Sequence, residues 1–258
     1  MELANKMSRK PDYGIDSPAI IAGQFFLSLL AFAVAAAFPR LFRLPMRWIG
    51  LLAGLYFLQG ALSMLYYSRV GKLKLRNHLL GLIPWRGDER VLDVGCGRGL
   101  LLVAAAHRLT TGRAMGVDLW VPHAITGNGP EAVLENAAIE GVSERVEVQN
   151  ADARQLPFND ASFDVVVSNF VLHEMQTEAD REKMVREIAR VLKPGGRLAL
   201  ADFIFTDQCV RVLKEAGVSN ASRKRIGLWS FWLSAIFTLG LCQLYQVTGT
   251  RDVSASGT

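Results

Sequence analysis

The sequence predicts an α/β domain built on a parallel sheet, carried behind two helices long enough to cross a membrane. Three observations support this. Val91 to Gly99 reads VLDVGCGRG, an apolar run that ends in an acid and then in three glycines, each two residues from the next. After it, strand-like apolar runs alternate with helical stretches, the pattern of a sheet wound on both faces. Before it lie two uncharged runs of about 21 and 20 residues, against the roughly 20 needed to span about 30 Å of hydrocarbon.

Taken in order, Met1 to Ser17 is a polar, mildly basic tail with Lys6, Arg9 and Lys10. Pro18 to Phe38 is the first apolar helix and Pro39 to Arg47 a short basic loop. Trp48 to Tyr67 is the second apolar helix, with aromatic residues at both ends, where rings sit at headgroup level. Gly50 and Gly54 make a G-x-x-x-G. That spacing lets helices pack closely, but it also arises by chance in apolar helices. Small residues at Ala33 to Ala37 resemble a signal-peptide cleavage site, yet the run is longer than a usual signal core. A buried core hairpin would show a polar face, and neither run has one. Three basic residues precede the first helix, and Arg69, Lys72, Lys74 and Arg76 follow the second; the connecting loop has Arg40, Arg43 and Arg47. This bias places both termini on the cytoplasmic side. Residues 1–68 thus read as a tail and a transmembrane hairpin, with spans near 18–38 and 48–67, and residues 69–258 as the globular domain.

Within that domain Leu73 to Leu82 is helical, stopped by Pro84 and Gly87. Arg90 to Val94 is the first strand and Leu100 to Leu109 the helix after the glycines. Gly112 to Leu119 is the second strand, and a polar loop, Trp120 to Gly129, leads to a helix over Pro130 to Glu140. Val146 to Asn150 is the third strand. Phe163 to Ser168 is the fourth, almost wholly apolar as a strand covered on both faces should be. A helix over Glu178 to Leu192 is ended by Lys193-Pro194-Gly195-Gly196, and Arg197 to Phe203 is the fifth strand. Thr206 to Ala216 reads as another helix. Gly227 to Val247 carries no charge. It reads as part of a final antiparallel hairpin closing with Leu244 to Thr250, its apolar portion around Trp229 to Leu239 touching lipid or a lipid-like substrate. A third span is the alternative.

Composition excludes several classes. The net charge is +5, but the basic residues gather beside the apolar helices, and no aromatic-plus-basic patch points to nucleic acid. Cys96, Cys209 and Cys242 are too few and scattered for a disulfide framework or a zinc site. His78, His107 and His123 show no ligand spacing, so no metal is expected. The sequence carries no signal for an oligomeric state.

The glycine turn is spaced G-x-G-x-G, not the G-x-G-x-x-G of a dinucleotide fold, which disfavours a nicotinamide-dependent oxidoreductase. About 20 residues on, Asp118 ends the next strand, where a carboxylate accepts from ribose hydroxyls. With VLDVGCGRG, the VDLW ending at Trp120, NADARQLPF from Asn150, FDVVVSNFVLHEM from Phe163 and REIARVLKPGGRLALADF from Arg186, the chain resembles class I S-adenosylmethionine-dependent methyltransferases, over roughly residues 75 to 250. The likeness is strongest to the branch containing ubiquinone/menaquinone and sterol methyltransferases. It implies a Rossmann-like seven-stranded methyltransferase sheet with helices on both faces, and S-adenosyl-L-methionine as cofactor. It also implies roles for particular residues. Asp93 orders the glycine loop or approaches the methionine amino group; Gly95, Cys96 and Gly97 line the methionine part, and Gly99 opens the helix. Asp118 holds the ribose, Leu119 packs on the adenine, Asp152 meets the adenine amino group and Ala153 offers a backbone N–H. Asn169 faces the sulfonium and the acceptor.

Methyl transfer needs a base only if the acceptor must lose a proton. His173 is the best candidate, though a structural loop histidine is the plainer reading; Glu174 is weaker. The hairpin and the long polar loop at Trp120 to Gly129 depart from the common soluble fold. The expected function is methyl transfer at a membrane to a small, lipid-soluble acceptor. Two readings stay open beside it: the same chemistry on a soluble small molecule or protein, with the hairpin as a tether, and a non-catalytic membrane scaffold that keeps the fold.

Overall fold

The computed structural model describes residues 10–38, 46–121, 124–227 and 243–253. Two long helices come first. Helix α1 (Pro18–Ala37) starts with Pro18 in its first turn, where a missing N–H costs nothing. Helix α2 (Met46–Tyr66) passes through a π-turn (Tyr67–Gly71) into α3 (Lys72–Gly81). The boundary expected at residue 68 therefore lies inside one continuous helical run, and the hairpin and the globular part share it. Helix α1 and the continuous run Arg47–Gly81 are each long and apolar enough to cross a membrane, with mean hydropathies of 2.2 and 1.5.

The G-x-x-x-G is the contact between α1 and α2. A Cβ on Gly50 would lie 2.7 Å from the Ala31 carbonyl oxygen and 2.8 Å from the Ala35 Cβ, and one on Gly54 would run into the Phe32 ring. Ser28 Oγ adds a buried 2.9 Å hydrogen bond to the Gly54 carbonyl. The outward faces stay bare, with Phe26, Leu29 and Leu52 about two-thirds exposed. Gly50→Leu is therefore expected to cost about 1–3 kcal/mol by overpacking, seen as a lower thermal midpoint of the solubilised protein. Gly23→Leu, at a site with nothing within 4 Å, is expected to leave the midpoint unchanged.

Residues 10–17 form a strap rather than a free tail. Asp16 bridges to Ile125, Ser17 N–H donates to Ala124 O, and Thr126 N–H donates to Ile15 O. The long polar loop after the second strand is thus the strap's docking partner. Pro122 and His123 of that loop lie outside the described residues.

Strands β1 (Arg90–Val94), β2 (Arg113–Asp118), β3 (Val146–Asn150), β4 (Phe163–Asn169), β5 (Leu192–Asp202), β6 (Ser222–Arg225) and β7 (Tyr245–Thr250) form one sheet in the order β3-β2-β1-β4-β5-β7-β6. The first five pair in parallel, while β7 runs antiparallel to β5 and β6. The final hairpin is therefore present. Its connection, with the apolar stretch expected to meet lipid and Cys242, falls mostly at 228–242, outside the described residues. Strand β5 begins at Leu192, five residues earlier than the sequence suggests. Leu192 already pairs with Phe163, and the register then shifts before Arg197 pairs with Val165, so the Lys193 to Gly196 turn is absorbed as a bulge.

Alternation along the strands accounts for the two covered faces. Val91, Val165 and Val167 pack with Leu75 and Leu79 of α3 and with Leu102 of α4 (Leu100–Ala106). Leu92, Val94 and Val166 pack with Met184 and Ile188 of α6 (Glu178–Val191) and with Val212 of α7 (Thr206–Glu215). Helix α5 (Pro130–Ile139) covers the first face near β3, with Val133 and Ala137 buried. Thr177 caps α6, its side chain accepting from Asp180 N–H, a contact that satisfies a free donor of the first turn.

Candidate active site

The carboxyl ends of β1, β2 and β4 open on a cavity of about 620 Å³, within the roughly 300–1,000 Å³ range of small-molecule sites. This is where the open α/β sheet places ligands, at the reversal of strand order between β1 and β4.

The glycine turn forms one wall. Gly95 N–H donates to Val117 O at 2.8 Å, and Gly97 N–H to Asp118 Oδ2 at 2.7 Å. Gly95 has φ +72°, a conformation that side chains with a Cβ resist. A Cβ there would also stand 2.2 Å from Val171 Cγ2. Asp118 accepts from Trp120 N–H through its other oxygen, at 2.6 Å, and the Trp120 indole N–H donates back to Gly97 O. The Asp118 carboxylate and the glycine loop are thereby tied together.

Asp93, Gly95, Cys96, Gly97, Asp118, Leu119, Asp152, Ala153, Asn169 and His173 all line this one cavity. Gly99 does not. It caps α4 with φ +82°. Asp93 is 1% exposed and neither carboxylate oxygen has a hydrogen-bond partner. Burial pushes its pKa up to about 8; the Leu102 N–H, outside bonding geometry, offsets part of the rise and the Asp118 charge adds to it. Burial likewise pushes the Cys96 thiol up, with Asp93 and Asp118 adding to it, so Cys96 is there for its size and not as a thiolate. Arg154 grips both oxygens of Asp152 at 2.6–3.0 Å and lowers its pKa.

The cavity is short of polar partners. Besides Asp93, the Tyr67 hydroxyl, Asn128 Oδ1 and Asn169 Oδ1 are buried without a hydrogen bond, and all four residues face it. Buried polar groups are normally paired, so this concentration marks a place where a ligand completes the bonding. An acid with no donor and a turn that a single Cβ would fill suit a compact, positively charged ligand with a polar tail. The residues fit S-adenosylmethionine.

His173 follows β4 in a short 3₁₀ turn (Leu172–Glu174). Its Nδ1 lies 3.3 Å from Oδ2 of Asp202, which is fully buried, and its Nε2 lies 3.2 Å from Glu174. Burial pulls the imidazole pKa down, but the Asp202 and Glu174 carboxylates outweigh it and the net shift is upward. Phe203 and Phe170 pack beside the ring, with centroids at 4.6 and 6.0 Å. Phe170 itself has φ +59°, strain of the kind that clusters at functional sites. Asp202 was missed by sequence reasoning, although an acid ending a parallel strand in LALADF was a usable signal.

The other wall was also not foreseen. Tyr13, Asp16 and Ser17 of the strap, Ile20 of α1, Ser63 and Met64 of α2, and Tyr67 and Lys72 beyond it all line the cavity. Arg98, inside the glycine turn, donates to Asp12 O, Thr126 O and Gly127 O. Asn136 pairs with both the N–H and the C=O of Asp12. Among the described residues no three His, Cys, Asp or Glu side chains gather in a way that could hold a metal ion.

Residues 92–200 match the methyltransferase-domain family. The chain is 41% identical over 132 residues to 27-O-demethylrifamycin SV methyltransferase of Amycolatopsis mediterranei, covering 51% of this chain and 44% of that protein. It is 33% identical over 118 residues to the ubiquinone/menaquinone biosynthesis C-methyltransferase of Vibrio campbellii, covering 46% and 42%. The chain thus spans less than half the length of these relatives. A solved SAM-dependent methyltransferase from Aquifex aeolicus shares the fold, with TM-score 0.54 at 18% identity over 70% of this chain and 93% of that one. The chain carries a methyltransferase domain over residues 92–200, on the fold of a solved SAM-dependent methyltransferase.

Proposed function

We propose that the protein is a membrane-anchored methyltransferase acting on a small, lipophilic acceptor. The observation that carries this reading is the shared cavity, with the glycine turn on one side and the base of the apolar hairpin on the other. A hairpin that served only as a tether would have no reason to line the site. Its bare outer faces suit lipid, since a core helix would be mostly covered. The basic residues outside the spans favour both termini, and the catalytic domain, on the cytoplasmic side.

S-adenosylmethionine, when bound, supplies a methyl group already activated on a sulfonium. The chain's own work is alignment, exclusion of water and handling of a proton. Asp93, Asp118 and Asp152 hold the polar parts of the cofactor, beside Leu119 and the backbone of Ala153. The aromatic wall of Tyr67, Phe170 and Phe203 suits a planar ring, in keeping with the relative named for ubiquinone/menaquinone biosynthesis. Neutral His173 takes a proton from the acceptor, and Asp202 stabilises the imidazolium that forms.

Because the His173 pKa is raised, the base form is gained only above the usual imidazole value of about 6.5. Initial rates are expected to climb with pH through that higher value. Asp202→Asn leaves burial as the dominant influence, so its rising limb should move to lower pH as the maximal rate falls. A profile unaltered by Asp202→Asn removes His173 from the mechanism.

The test of the function as a whole is lipid profiling of a strain lacking the protein. Lipophilic species lighter by one methyl group should accumulate and disappear on restoring the gene. Changes confined to water-soluble metabolites or to protein methylation would support the tether reading instead.

A further inference from the structure

Helix α2 reaches the active site through an irregularity. At Tyr67–Gly71 the helix opens into a π-turn, a distortion found mostly where a helix serves a site. The turn brings Tyr67 to the cavity wall. Its ring packs 5.7 Å from that of strained Phe170, and Gly71 leaves room for it, since a Cβ there would stand 2.7 Å from Tyr67 Cδ2. For all this placement, the Tyr67 hydroxyl has no hydrogen-bond partner. Neither has Oδ1 of Asn169, although the Asn169 side chain lies beside the phenol. One is a donor and the other an acceptor, both buried in the wall of the same cavity. A phenol kept only for packing would be a phenylalanine, because an unmade buried hydrogen bond is unfavourable.

We infer that Tyr67 and Asn169 together hold a hydroxyl group of the acceptor, which accepts from the Tyr67 O–H and donates to Asn169 Oδ1. A hydroxyl satisfies both groups at once, whereas an ether or ketone oxygen leaves Asn169 unpaired. The hairpin then contributes a positioning residue to the site, and the acceptor belongs to the hydroxylated lipophiles. This inference rests on the proposed methyl transfer.

The experiment uses the whole chain in lipid nanodiscs, S-adenosylmethionine tritiated in its methyl group, and the total lipid extract of a strain lacking the protein. Tyr67→Phe is expected to raise the apparent KM for extract about tenfold, the loss of one good hydrogen bond. Calorimetric affinity for S-adenosylmethionine should be unchanged, and the thermal midpoint unchanged or higher. A structural role would lower the midpoint instead. Asn169→Ala should cost a similar factor, and the double variant little more than either, because both grip one group. Wild-type activity with an unaffected Tyr67→Phe overturns the inference alone, as does a labelled product with neither hydroxyl nor ether oxygen. No labelling by the wild type overturns the methyl-transfer reading and the inference with it.

Discussion

Replacing Gly95 by valine is expected to weaken S-adenosylmethionine binding about 100-fold or more, to the point of abolishing it in calorimetry. Two effects add. The backbone at φ +72° disfavours a β-branched residue by about 1–2 kcal/mol, and the new Cβ falls 2.2 Å from Val171, so either the turn or the segment that carries Asn169 and His173 must move. Since Asp118 is tied to the same turn through Gly97, the displacement spreads to the Asp118 carboxylate. Circular dichroism separates this from unfolding. A folded Gly95→Val protein that binds the cofactor normally would show that the turn is not the binding element.

The second large effect concerns Lys72, 4% exposed at the start of α3. Its ammonium donates to Tyr13 O at 2.7 Å, to Gly14 O at 2.6 Å and to Asp16 Oδ2 at 3.1 Å. No other cation is recorded on these oxygens among the described residues. Lys72→Met leaves two carbonyls and a carboxylate unpaired at a cost of about 3 kcal/mol. Much of that falls on closure of the strap, whose Tyr13, Asp16 and Ser17 line the cavity. The expected result is rapid proteolytic cleavage in the strap, a lower thermal midpoint and cofactor affinity reduced about tenfold. Unchanged protection and affinity would mean that the strap is incidental to the site.

Much of this fold is legible in the sequence because its parts are local. The apolar strands, the glycine turn and the acid ending the second strand each announce themselves within a few residues, and Asp93, Asp118, Asp152 and Asn169 do meet around one cavity. What stayed hidden depends on distant pairing. Residues 12–17 look like a polar tail because their hydrogen bonds are to Lys72, Arg98, Thr126 and Asn136, none of which is near in sequence. Tyr67 reads as an interfacial aromatic, since a π-turn leaves no mark in apolar periodicity. The early start of β5 was masked by Pro194 and two glycines, residues that usually end an element but here make a bulge inside one. The composition changes near residue 68, while the helix runs on past it.

Membrane-coupled methyl transfer is tested most directly by where the methyl group goes. The whole chain, solubilised or in nanodiscs, is incubated with lipid extract and methyl-labelled S-adenosylmethionine, and the label is then partitioned between solvent and water. Enzyme-dependent label is expected in the organic phase, lost in Gly95→Val. Label found only in water-soluble products or on protein would contradict membrane-coupled transfer.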